Sequence, residues 1–197
     1  MKLIVTRFSI PGLLPTGAHK VRDEERLEFK FNVFEKLTKP SVLSQTDENF
    51  TWHIFAGKFL QDRIKIDDSR ITVHYVSLDD FRKQCQEICN NTTTVRLDDD
   101  DGISPLLLES LDNYSEGVVS FPRGRQFSVI DNNIVFSETP TFQPNVSAGM
   151  ARINGNIYEC GNHAHIHTRF NVIYDNLEDA YYQCCSEYCW SQRRVFM

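Results

Sequence analysis

One stretch constrains this chain more than any other: Thr92-Thr93-Thr94-Val95-Arg96-Leu97 runs directly into Asp98-Asp99-Asp100-Asp101 and Gly102. The β-branched run reads as a buried strand, and the four consecutive carboxylates fall where that strand must end. Like charges at this spacing repel and raise one another's pKa, so the run has to be hydrated or met by a cation. Oxygen ligands at a strand end suit a hard divalent ion such as Mn2+ or Mg2+, which is commonly shared with substrate phosphates. The competing reading is a solvated acidic turn that caps the next segment.

Around this stretch the 197 residues sort into one domain, long enough for a sizeable core. Lys2 to Phe8 reads as a first strand, followed by a Pro- and Gly-punctuated loop from Pro11 to Gly17. Val21, Leu27, Phe31, Phe34 and Leu37 recur at helical intervals, predicting an amphipathic helix that Pro40 ends. Strands follow at 50–55 and 71–76, and Ser77-Leu78-Asp79-Asp80 opens a helix running through Ile88. Strands alternating with helices imply a mostly parallel sheet, whose ligands collect at the carboxyl ends of the strands. Thr6-Arg7 and Asp98 to Asp101 both fall there.

The second half departs from that rhythm. A helix is expected over 104–114, a strand over 117–121, and a hairpin from Gln126–Ile130 and Ile134–Ser137 around Asp131-Asn132-Asn133. Residues 140–170 carry little regular pattern, and 177–193 is expected to close the chain as a helix. The predicted fold class is therefore α/β, a mixed and mostly parallel sheet flanked by helices, with a β-hairpin in the second half.

The net charge of −6 is concentrated in the aspartate run, and no Lys/Arg cluster exists to form a nucleic-acid surface. No signal-peptide core and no stretch of about 20 apolar residues is seen, so no membrane span is expected and the chain reads as soluble and cytoplasmic. Without a secretory context the six cysteines read as mostly free thiols. Cys85 and Cys89 would share a helix face, while Cys184, Cys185 and Cys189 would crowd the closing helix without a CxxC pair for zinc. The sequons at Asn49, Asn90, Asn91, Asn113 and Asn145 read as chance matches.

The segment Thr94-Val95-Arg96-Leu97-Asp98-Asp99-Asp100-Asp101-Gly102-Ile103 resembles the strand-plus-DxD signature of GT-A nucleotide-sugar glycosyltransferases. It is similar in particular to the threonine-arginine-leucine-aspartate segment of the rhamnosyltransferase family. Val5-Thr6-Arg7-Phe8 and Phe50-Thr51-Trp52-His53-Ile54-Phe55 sit where that family has its first two strands. The similarity spans most of the chain and extends to the glycosyltransferase domain of a chlorella-virus capsid-glycosylation protein, a setting that would be host cytoplasm. It implies a single glycosyltransferase domain over 1–197, with a nucleotide-binding half at 1–103 and an acceptor- and metal-completing half at 104–197. It also implies transfer of a hexose, rhamnose or glucose, from a nucleoside-diphosphate sugar, expected to be UDP-linked, to a glycan or glycoprotein acceptor. A non-catalytic nucleotide-sugar or carbohydrate-binding module of the same fold is the alternative, and a metal-dependent phosphohydrolase a third reading.

In this family pattern Asp98 and Asp100 are the DxD pair and ligands of Mn2+ or Mg2+, and Asp101 extends the motif as a further catalytic candidate beside Asp100. Asp99, directed to the opposite side of an extended backbone, is expected to be solvated or capping, at the edge of the nucleotide-sugar site. Cys160-Gly161-Asn162-His163-Ala164-His165-Ile166-His167 places histidines at alternate positions, on one face if the segment is a strand. GT-A enzymes often take a further histidine ligand from this region, so His163 and then His165 are the expected metal ligands. A zinc site using all three is a lesser alternative. Thr6, Arg7 and Arg96 are expected in the nucleotide-sugar site, where guanidinium groups hold phosphates bidentately, although ion pairs with the aspartates would serve as well. Ser147 and Gly149 would permit close approach of a sugar, or merely pack. Pro122-Arg123-Gly124-Arg125 is a basic loop or a plain exposed turn. Glu159 and Asp131 are the second-half carboxylates expected near an oxocarbenium-like centre.

Overall fold

The computed structural model describes residues 1–11, 23–144, 146–161 and 163–185, with the side chains of residues 163 and 164 outside the description. Seven strands form the larger sheet in the order β11-β6-β10-β4-β1-β2-β3. Its centre is β1 (Lys2–Phe8), paired in parallel with β2 (Phe50–Gly57) on one side and β4 (Thr93–Asp98) on the other. The edge strand β3 (Ile71–Val76) continues the parallel set beside β2. Beyond β4, β10 (Ala151–Arg152) runs antiparallel to both of its neighbours, and β6 (Val118–Ser120) and β11 (Val172–Tyr174) pair in parallel.

Alternation along the strands divides the core between the two faces of this sheet. Ile4, Phe8, Trp52, Ile54, Val95 and Leu97 build the large cluster on one face. Leu3, Val5 and Phe55 face the other side, packing against Phe81, Cys85 and Cys89 of α3 (Leu78–Cys89). A capping box starts α3: the Ser77 side chain accepts the Asp80 N–H, and the Asp80 carboxylate accepts the Ser77 N–H. Cys85 and Cys89 do share a face there, their sulfurs 3.7 Å apart.

The first helix departs from expectation at its end. After α1 (Glu24–Val33) a π-turn spans Phe34–Thr38, and α2 (Lys39–Leu43) carries the chain past Pro40. The Lys39 N–H donates five residues back to the Phe34 carbonyl, and the widened turn leaves Pro40 in the first turn of α2, where a missing N–H is tolerated. Val21, residues 12–17 of the expected loop, and Asn145 lie outside the described residues.

A second, five-stranded sheet has the order β5-β12-β7-β8, with β9 (Thr141–Phe142) also on β7. The expected hairpin is present as β7 (Arg123–Ile130) and β8 (Asn133–Phe136), turned by Asp131 and Asn132 with φ of 48° and 62°. Both carry the left-handed conformation that such two-residue turns demand. The expected helix at 104–114 is short, α4 (Leu107–Ser110) followed by a 3-10 turn. The closing helix is contradicted over its described part: β12 (Tyr181–Cys184) is a strand between β5 (Asp101–Ile103) and β7. Tyr181 and Cys184 are buried in that slot, and pairing on both edges overrides a helical reading. Cys184 therefore lies on a strand, and residues 186–193, Cys189 among them, lie outside the described residues. The aspartate run is the bridge between sheets: Asp98 ends β4 in the first, and Asp101 begins β5 in the second.

Candidate functional site

Register brings the site together. Arg7 on β1 stands beside Asp98 on β4, and Val5 beside Arg96, so Arg7, Arg96 and Asp98 project from the same face of adjacent parallel strands at their carboxyl ends. Arg7 Nη2 donates to Asp98 Oδ1 at 3.0 Å, and Arg96 Nη2 donates to Oδ2 at 3.1 Å. The Ser147 hydroxyl donates to Oδ2 at 3.1 Å. Burial works against charge on Asp98, but Arg96 and then Arg7 outweigh it and hold its carboxyl far below the usual range. Arg7 is likewise opposed by burial and held charged by Asp98.

The next three aspartates are treated differently. Asp99 is not solvated as expected. It is buried and pairs with Lys30, which reaches over from α1 and lies 3.5 Å from Asp100 as well. A bare carboxylate there would be prohibitively desolvated, so the expected solvent face is replaced by an internal cation. Burial opposes the Lys30 charge, and Asp100 and Asp99 more than restore it. Burial pushes the Asp99 carboxyl upward, Asp100 adds to that, and Lys30 offsets it only in part. Asp99 Oδ2 is buried without a hydrogen-bond partner. Asp101 is buried as well, its Oδ1 accepting the Cys184 N–H at 3.2 Å, and burial with Asp100 beside it drives its carboxyl up.

Beside the Arg7–Arg96–Asp98 group lies a cleft of ≈ 340 Å³ lined by Arg7, Phe81, Arg82, Arg96, Tyr158 and Glu159, among others. Glu159 stands exposed at this cleft, accepting from Arg152 Nη1 at 3.1 Å. Tyr158, which no motif singled out, lies under both arginines, its ring centroid 5.2 Å from Arg7 Cζ and 5.6 Å from Arg96 Cζ. Lys30 also escaped attention, although Leu27, Lys30 and Phe34 share a helical spacing that marks one buried face.

Other candidates are placed elsewhere. Thr6 points into the large core, where its hydroxyl accepts from Trp52 Nε1 at 3.0 Å, because alternation sends it to the face opposite Arg7. Gly149 has φ 76° and a built Cβ would stand 2.6 Å from Leu107 Cδ1, so packing accounts for it rather than sugar approach. Asp131 is exposed in the hairpin turn and does not line the cleft. Residues His163–Thr168 form a 3-10 helix, not a strand. At about three residues per turn, alternate positions do not share a face, so the expected histidine row is lost. His165 is exposed, and the His163 side chain lies outside the description. Arg123 and Arg125 of the basic segment pair with Glu178 and Asp179.

The donor set bears on the expected divalent ion. Among the described residues no group of three or more His, Cys, Asp or Glu is arranged to hold a metal. The corner instead holds one orphaned carboxylate oxygen on Asp99 and the Asp100 carboxylate, 12% exposed, within a cluster where three carboxylates meet Arg7, Arg96 and Lys30. Mg2+-type ions are commonly held by one or two carboxylates plus substrate phosphates. The residues fit that mode and not an all-protein cage.

The family described as "Putative rhamnosyl transferase" matches residues 2–194. No curated protein matches the chain in sequence. Among solved structures, S. aureus TarS 1–349 in complex with UDP-GlcNAc is similar with a TM-score of 0.57 at 10% identity, over 99% of this chain and 61% of that one. A second structure of S. aureus TarS 1–349 aligns with a TM-score of 0.52 at 10% identity, over 93% of this chain and 60% of that one. At that identity the likeness shows the fold, a GT-A-like arrangement. The chain spans less than two thirds of either.

Proposed function

The chain belongs to this rhamnosyl transferase family of glycosyltransferases, and on that premise we propose that it moves a hexose, rhamnose or glucose, from a UDP-linked sugar to a glycan or glycoprotein acceptor. The observation that carries the reading is the convergence of Arg7, Arg96 and Asp98 at the strand ends beside the cleft. The UDP-GlcNAc bound by the TarS structure supports a nucleotide-sugar donor.

In this reading Asp98 anchors the two arginines, whose planar N–H forks suit the diphosphate. Breaking the bond between the anomeric carbon and the phosphate oxygen leaves a nucleoside diphosphate with growing negative charge, and pre-placed cations stabilise it without reorganisation. Asp100 would hold Mn2+ or Mg2+ together with the diphosphate oxygens. When bound, the ion supplies electrostatic neutralisation of the leaving diphosphate. Glu159, at the cleft, is the carboxylate placed to attend the oxocarbenium-like centre or the acceptor hydroxyl. No helix among the described residues is long and apolar enough to cross a membrane.

Asp100→Ala is expected to lower Mn2+-dependent hydrolysis of UDP-glucose and UDP-rhamnose by about a hundredfold or more while far-UV circular dichroism stays unchanged. Parent-like turnover in that variant overturns the assignment of Asp100. A parent chain that binds UDP yet never turns over either donor is a binding module, not a transferase.

A further inference from the structure

Tyr158 sits in a short 3-10 turn (Ile157–Cys160) and is fixed from several sides. Its hydroxyl donates to the Val5 carbonyl at 3.1 Å, and its N–H donates to Asn156 Oδ1 at 2.9 Å. Its ring meets Phe81 edge-on, the centroids 5.5 Å apart at 88°. Burial keeps the phenol protonated, which preserves it as a donor to Val5.

What this fixed ring faces is a pair of like charges. Arg7 and Arg96 come from adjacent strands and both reach the single carboxylate of Asp98. One counter-charge shared between two guanidinium groups leaves a net positive charge and two like charges side by side, and an aromatic face attracts cations at the 5.2 and 5.6 Å separations seen here. Arg7 Nε is buried without a hydrogen-bond partner, so Asp98 and the Tyr158 ring are what orient that side chain.

We propose that Tyr158 is the positioning residue of the donor site, its ring holding Arg7 and Arg96 as a pair turned towards the diphosphate of a nucleotide ligand. The inference rests on the glycosyltransferase reading of the cleft and adds to it a residue outside the DxD run. Tyr158 acts through the arginines, so the ring and not the hydroxyl carries the effect.

The test is isothermal calorimetry of UDP with the full chain, alongside thermal melting. Tyr158→Leu is expected to weaken UDP binding about tenfold, whereas Tyr158→Phe, which keeps the ring, stays within about threefold of the parent. Equal affinity of the leucine variant and the parent overturns the proposal, and so does equal weakening by leucine and phenylalanine, since that places the effect in the hydroxyl and its fold contact. If the leucine variant melts below the assay temperature, Tyr158→Gln takes its place under the same criteria. A parent that fails to bind UDP overturns the donor reading itself, and that result is distinct from a parent that binds while Tyr158 proves indifferent.

Discussion

Two polar clusters are built into the same parallel sheet on opposite terms. At the carboxyl ends of β1 and β4, Asp98 is met by Arg7 and Arg96, and Asp99 and Asp100 by Lys30. On the outer pair, His53 of β2 and His74 of β3 meet each other at 2.8 Å between Nδ1 and Nε2, their rings stacked and His74 also stacked on Phe55. The histidine pair needs only one donor and one acceptor, and it is satisfied as a neutral unit. Burial, and then the neighbouring imidazole, push the His53 pKa down to about 4, and burial lowers that of His74. The acidic corner holds Asp98, Arg7 and Lys30 ionised against desolvation while burial pushes the Asp99 and Asp101 carboxyls up, and it still leaves Asp99 Oδ2 and Arg7 Nε unpartnered. A contact needed only for packing can be neutral. One that stays ionised while buried, as Asp98 does between Arg7 and Arg96, has to carry its counter-ions with it.

The largest test of this contrast is Lys30→Met. Removing that ammonium leaves Asp99 buried without its cation, and urea unfolding should show a loss of about 3–5 kcal/mol. A loss below about 1 kcal/mol would mean that charge pairing does not hold the corner. The histidine pair should instead announce itself through pH. Its folded pKa values lie below the unfolded value of 6.5, so the unfolded chain takes up the extra protons and the pair's stabilisation, complete above that value, fades as pH falls towards about 4. The melting temperature of the parent should therefore drop more between pH 7 and pH 4.5 than that of His53→Gln. Parallel curves would place the titration elsewhere. Smallest of all is the exposed Lys58–Asp80 pair at 2.9 Å. Lys58→Ala should leave the urea midpoint unchanged, because solvent already screens both partners.

Much of this architecture could be read from the chain alone. Strands β1 to β4 announce themselves through β-branched and apolar runs, α3 through Ser77 and Asp80 at its start, and the hairpin through Asp131-Asn132. These are local signals, set by propensity and capping within a few residues. The closing segment shows the limit. Tyr181 to Cys184 becomes a strand because β5 and β7 present open edges on both sides, a circumstance no local window contains. The histidine run failed for a related reason: its alternate spacing has meaning only in a strand, and the segment is a 3-10 helix. Around the candidate site, the sequence marks Arg7, Arg96, Asp98 and Glu159 as candidates, while it does not mark Lys30 or Tyr158. Lys30 carried a usable signal in its spacing from Leu27 and Phe34. Tyr158 carried none, since it meets the arginines from a turn more than sixty residues beyond Arg96.

By itself the sequence determined that a strand would deliver four carboxylates to one end of a parallel sheet, because strand propensity and charge are properties of neighbouring residues. Only the tertiary structure decided what each carboxylate does. Parallel register placed Arg7 against Asp98, the buried face of α1 brought Lys30 to Asp99, and β12 supplied the N–H that Asp101 accepts. The physical reason is desolvation: once the strand end is buried, each charge must be met by whatever group the fold brings within reach. Those groups come from α1, β1, β12 and the strand's own Arg96.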